Sequence, residues 1–116
     1  MFYNTPQNDP LFQTLYKFFR YEEMLRDRVG CALCTGSGWV MRRTALDSIG
    51  GFPTSTLTED TYTANLTMGR GWKTAYLPEA LQYGLVPETY QAHVKQYRRW
   101  VSGSGFIFHR LLLIRT

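Results

Sequence analysis

Residues 31–42 read CALCTGSGWVMR, and the fold class of this chain turns on them. The run reads as a strand interrupted by a glycine-containing turn. Gly36 and Gly38 allow close backbone approach or dihedrals closed to other residues. Ahead of it, Asp9–Pro10 forms a helix-start signal, a capping carboxylate followed by proline at the first helical position. Leu11, Leu15, Phe18, Phe19, Leu25 and Val29 then recur at helical spacing, with Lys17, Glu22, Glu23 and Arg26 mostly between them. This helix should run to about Arg28 and end at Gly30.

Behind the run, TALDSIGGF (44–52) reads as a short helix stopped by Gly50–Gly51. A helical pattern follows from Glu59 to about Met68, with Tyr62 and Leu66 on one side, until Gly69 and Gly71 end it. WKTAYL (72–77) and EALQYG (79–84) read as short extended pieces. Pro87–Glu88 opens a long helix carrying Tyr90, Val94, Tyr97, Trp100 and Val101. The expected architecture is mixed α/β, a few strands flanked by helices. Three short strands cannot wrap so many apolar helical faces, so the chain reads as part of a larger sheet domain.

At 116 residues, 44% apolar and 16% aromatic, the chain holds one domain at most and is not a disordered polypeptide. A formal charge of +4 is mild, but no acidic residue follows Glu88, while Lys95, Arg98, Arg99, Arg110 and Arg115 do. A basic C-terminal segment suits an anionic partner, whether phosphate, nucleic acid or membrane surface. Apolar residues all round the last turns favour the membrane surface over nucleic acid. Cys31 and Cys34 are spaced C-x-x-C, but the only histidines, His93 and His109, lie sixteen apart, which is unsuited to a zinc site. Two reduced cysteines are expected. The polar opening MFYNTPQNDP has no basic leader, and no stretch approaches the roughly 20 apolar residues of a membrane-spanning helix.

Two clusters carry chemistry. TLTED (56–60) places Glu59 and Asp60 in a stretch whose only other carboxylate between Arg43 and Arg70 is Asp47. Thr58 is a natural N-cap, and two carboxylates in the first turn suit the helix dipole. That role favours the ionised form, which fits a base and not an acid. A weak base serves if the hydroxyl it deprotonates becomes acidic as it attacks. In QYRRW (96–100), Gln96, Arg99 and Trp100 share one helix face. Together they offer an amide, a guanidinium fork for phosphate oxygens and a flat apolar platform. The simpler alternative is a core tryptophan flanked by solvated arginines.

TED followed about 35 residues later by Q-x-x-R-W resembles the processive family 2 glycosyltransferases, the cellulose-synthase-like group. Residues 34–103 look like the acceptor-side half of that family's catalytic domain, and FYNTPQNDP with the helix after it resembles the segment leading in. The resemblance implies the C-terminal half of a GT-A-like nucleotide-sugar transferase domain over residues 1–106, with an interfacial amphipathic helix starting at 107–116. It implies Asp60 as the base that deprotonates the acceptor hydroxyl during inverting displacement from a nucleotide sugar. Gln96, Arg99 and Trp100 would contribute to the pyrophosphate site and acceptor platform, with Glu59 and Cys34 beside the acceptor. Ala32 and Leu33 stand where the family commonly has aromatics.

The family also uses a divalent metal, Mg or Mn, on an Asp-x-Asp motif. The aspartates here are Asp9, Asp27, Asp47 and Asp60, so that motif and an earlier aspartate should precede residue 1. The implied partners are a nucleotide sugar, a glycan acceptor, a membrane surface on its cytoplasmic side, and the missing N-terminal half and transmembrane helices. Nucleic acid is not among them. The alternative reading is a truncated, non-catalytic module.

Overall fold

The structure is a computed structural model that describes residues 2–113. A π-helical turn, Phe18–Glu22, runs into α1 (Glu23–Arg28), followed by α2 (Arg43–Ser48), α3 (Glu59–Gly69) and α4 (Tyr90–Leu113). The last three helices match the sequence expectation closely. Glycines at positive φ follow each of the shorter ones: Gly30, Gly50 and Gly71. Helix α4 starts slightly later than Pro87–Glu88, because the Thr89 hydroxyl accepts the Ala92 amide at 3.2 Å and so caps it.

The first helix departs from expectation. Asp9 lies in the left-handed region at φ 40°, and the chain turns helical only at residue 16. Its carboxylate accepts the Gln13 and Thr14 amides at 2.7 and 3.0 Å, and the Thr14 hydroxyl as well. It therefore closes a loop and does not cap a helix. Desolvation acts against ionisation, but these donors and the nearby His93 together hold the Asp9 carboxyl below its ordinary range. The apolar face expected to be buried is open, with Leu25 and Val29 exposed. Glu23, one of the charges spaced among the apolar positions, is fully buried.

The three expected strands are a second correction. Among the described residues they make only isolated parallel bridges, Cys31 with Thr74 and Phe2 with Gly84. The local cause is visible on α1. Glu23 and Asp27, one turn apart, accept the amides of Leu33 and Tyr76 at 2.8 and 2.7 Å. Carboxylates thus take donors that a neighbouring strand would otherwise take. Thr74 completes the join, its amide reaching the Gly30 carbonyl at 2.9 Å and its hydroxyl the Ala32 carbonyl at 2.7 Å.

The buried centre is small. Ala32, Cys34, Ala45, Tyr62, Ala64, Val86 and Ile107 are its apolar members. Thr63 and Thr67 join them from α3, their hydroxyls satisfied one turn back at Glu59 and Thr63 carbonyls. Helix α2 packs on α3, and Trp72 ties the pair by donating to Ser48 at 3.1 Å. The N-terminal segment straps the lead into α4, with Asn4 exchanging two hydrogen bonds with Val86 and Gln13 donating to the Pro87 carbonyl. The radius of gyration is 15.2 Å, against about 13 Å for a compact domain of roughly 100 residues.

Candidate active site

Asp60 stands in the first turn of α3, half-buried, with Glu59 exposed beside it. One Asp60 oxygen accepts the Thr61 amide at 2.7 Å. The other borders the glycine turn: a Cβ added at Gly36 would lie 3.6 Å from Oδ2. Gly36 holds φ +83°, so the turn needs glycine for its conformation. The CTGSG turn and the TED helix start therefore meet at this carboxylate.

Thr58 holds the N-cap position of α3, but its hydroxyl makes no capping bond. It is buried and packs directly on α4, where a Cβ added at Gly103 would lie 2.9 Å from the Thr58 Cβ. That contact relates the two motifs. At about 100° per residue, Gly103 falls between Arg99 and Trp100 on the helix surface, in line with Gln96. The start of α3 thus sits on the α4 face that carries the second motif, one turn further along. Gln96 and Trp100 are half-buried there, and Arg99 is exposed.

Trp100 is the end of a ring series along α4. His93 and Tyr97 have centroids 4.6 Å apart, and Tyr97 and Trp100 5.1 Å. His93 is buried and its Nδ1 has no partner among the described residues. Neither of two surface hollows, one lined by Asn4, Gln13 and Thr89 and the other by Tyr90, Tyr97 and Arg98, includes Asp60 or Trp100.

Cys34 is buried, and burial, with the Asp60 and Glu23 charges adding to it, pushes its thiol up to about 11. Its neighbours Thr35 and Ser37 are exposed on the turn. Cys31 and Cys34 are both free thiols. Among the described residues no group of three or more His, Cys, Asp or Glu converges as a metal site would require. The donor set here does not fit a divalent cation, so no step is routed through one. Glu23 and Gly103 were not singled out by sequence reasoning as site residues, because a buried acid and a tightly packed glycine leave no periodic signal.

A family model described as glycosyl transferase family group 2 matches residues 1–116. The cellulose synthase catalytic subunit [UDP-forming] of Komagataeibacter sucrofermentans is 45% identical over 73 residues, covering 63% of this chain and 10% of that protein. The subunit of the same description from Xanthomonas axonopodis pv. citri is 40% identical over 81 residues, covering 70% of this chain and 11% of that protein. Putative cellulose synthase 2 of Komagataeibacter xylinus is 48% identical over 68 residues, covering 59% and 4%. The chain spans about a tenth or less of the length of these relatives.

Proposed function

The chain belongs to glycosyl transferase family group 2, and on that premise we propose that it forms the acceptor-side part of a polysaccharide synthase. In this reading the parent enzyme transfers a sugar from a nucleotide sugar, a UDP-sugar, to a growing glycan with inversion. The observations that support it are the Asp60 carboxylate bordering the turn at Gly36 and the packing of Thr58, two residues before it, on α4 at Gly103, one turn beyond Gln96, Arg99 and Trp100.

Asp60 acts as the base. Its Oδ2 takes the proton of the acceptor hydroxyl while that oxygen attacks the anomeric carbon and the nucleoside diphosphate departs from the opposite side. Arg99, exposed and able to present a rigid donor fork, holds pyrophosphate oxygens, and Gln96 adds neutral donors. Trp100, braced by Tyr97, supplies the platform for the acceptor sugar. Glu59 and the turn at Cys34 border the acceptor. This reading expects a divalent metal to be held by residues in another part of the parent, where it would supply charge neutralisation on the diphosphate.

Residues 1–106 make up this acceptor-side portion. In this reading α4 meets a membrane surface on the cytoplasmic side from residue 107 onward; Phe108, Leu112 and Leu113 are exposed, and the Arg110 guanidinium lies 5.4 Å from the Phe106 ring centre. Residues 114–116, the end of that expected segment, lie outside the described residues. No helix among the described residues is long and apolar enough to cross a membrane.

The test is a metal-dependent UDP-release assay on the full-length protein. Asp60→Asn is expected to abolish transfer with nucleotide affinity nearly unchanged, whereas Arg99→Ala weakens nucleotide binding. Transfer persisting in Asp60→Asn rules Asp60 out as the base, and equal loss of folding in both variants leaves only capping and core roles. Residues 1–116 alone are expected to give no turnover.

A further inference from the structure

Glu23 is an anomaly for a surface-type helix. It is 0% exposed, and with Thr63 it is among the largest fully buried side chains. One oxygen accepts the Leu33 amide at 2.8 Å. The other lies 3.6 Å from the Arg26 guanidinium without a hydrogen bond. Burial pushes its carboxyl above the ordinary range, against the pull of the Leu33 amide and Arg26. A buried acid with one oxygen left unbonded costs stability, and an apolar side chain of similar volume generally serves a core better.

What an apolar side chain could not do is hold the Leu33 amide. Leu33 leads directly into Cys34, Thr35 and Gly36, the wall that meets Asp60. The opposite edge of the same segment is held by Thr74, through the Gly30 and Ala32 carbonyls. Residues 30–33 are therefore gripped from both edges, by a hydroxyl and amide on one side and a carboxylate on the other. No neighbouring strand ladder shares this task among the described residues. The charge-assisted bond from Glu23 is the grip nearer the turn, and such bonds are stronger than neutral ones.

We propose that Glu23 is a positioning residue for sugar transfer: by holding the Leu33 amide it keeps the Cys34–Gly36 turn against Asp60, so that the acceptor hydroxyl meets that carboxylate in one orientation. The inference rests on the reading of Asp60 as the base. Glu23 touches neither substrate nor reacting atoms. It acts through the backbone it fixes, and misplacement of reacting groups by about 1 Å can cost on the order of a hundredfold in rate.

The test uses the full-length protein, with UDP release, nucleotide binding and amide hydrogen exchange measured well below its unfolding temperature. Glu23→Leu removes the acceptor oxygen, Glu23→Asp keeps the charge but withdraws it from the amide, and Glu23→Gln keeps an oxygen in place. Glu23→Leu and Glu23→Asp are expected to lower kcat by about tenfold to a hundredfold. Both should raise the acceptor KM, keep donor affinity within about twofold and speed exchange at the Leu33 amide. Glu23→Gln should recover most of the lost kcat. Should Glu23→Leu fail to fold, Glu23→Asp decides the matter.

Wild-type kcat and acceptor KM in Glu23→Asp overturn the inference, as does a parallel loss of donor affinity and transfer. No rescue by Glu23→Gln also overturns it. Absence of transfer in the wild-type protein sinks the sugar-transfer reading itself, and this inference with it. Wild-type transfer with unaffected variants sinks this inference alone.

Discussion

At the residue scale, environment separates side chains that look alike in sequence. Glu22 and Glu23 are adjacent, yet one is exposed and the other has no solvent contact. Cys31 and Cys34 share a motif, yet only Cys34 is buried. With its thiol raised to about 11, about one Cys34 in a thousand is thiolate at pH 8, and the thiolate is the reactive form. Alkylation mapped by mass spectrometry at that pH should label Cys31 readily and Cys34 far more slowly, with Cys34 labelling rising as the pH approaches the raised value. Equal labelling at pH 8 would place Cys34 in contact with solvent. The contrast was not legible in the sequence, because burial of a C-x-x-C residue depends on what packs over it. Asp60 was legible as a carboxylate in the first turn of a helix. Its proximity to Gly36 was not.

At the element scale, α3 and α4 are joined where glycine allows it. Glycine inside a helix normally costs about 1 kcal/mol relative to alanine, so two in the SGSG run of α4 call for a reason. Gly103 has one and Gly105 does not: an added Cβ at Gly103 meets Thr58, while nothing lies within 4 Å of one at Gly105. Gly105→Ala is therefore expected to stabilise the fold by roughly 0.5–1 kcal/mol. Gly103→Ala should destabilise it by about 1–3 kcal/mol through overpacking. Urea midpoints of the two variants against wild type measure the difference, and a gain in both would remove the tight α3–α4 contact from the account. Helices α2, α3 and α4 were readable from apolar period, glycine stops and the spacing of QYRRW. The strands were not, since a strand is stabilised by its neighbour and its own sequence supplies only half of that.

At the scale of the whole molecule, much apolar surface is left open. Val40 is 100% exposed, and Val29, Leu81, Leu85 and Phe108 are each more than 65% exposed. Soluble monomers rarely keep large contiguous apolar patches uncovered. Residues 1–116 made alone should bind a hydrophobic dye such as ANS and self-associate as concentration rises, measured by fluorescence and sedimentation. A dye-silent monomer would show that the chain covers its own surface. Taken by itself, the sequence determined the three later helices, the acidic first turn of α3, and the family likeness; these depend on local periodicity and on residues close together along the chain. Only the tertiary structure decided that Glu23 is buried, that carboxylates of α1 take amides expected in strands, and that Thr58 packs on Gly103, one turn beyond QYRRW. Those outcomes follow from packing between distant segments, where the balance of desolvation and hydrogen bonding is set by neighbours that no local pattern names.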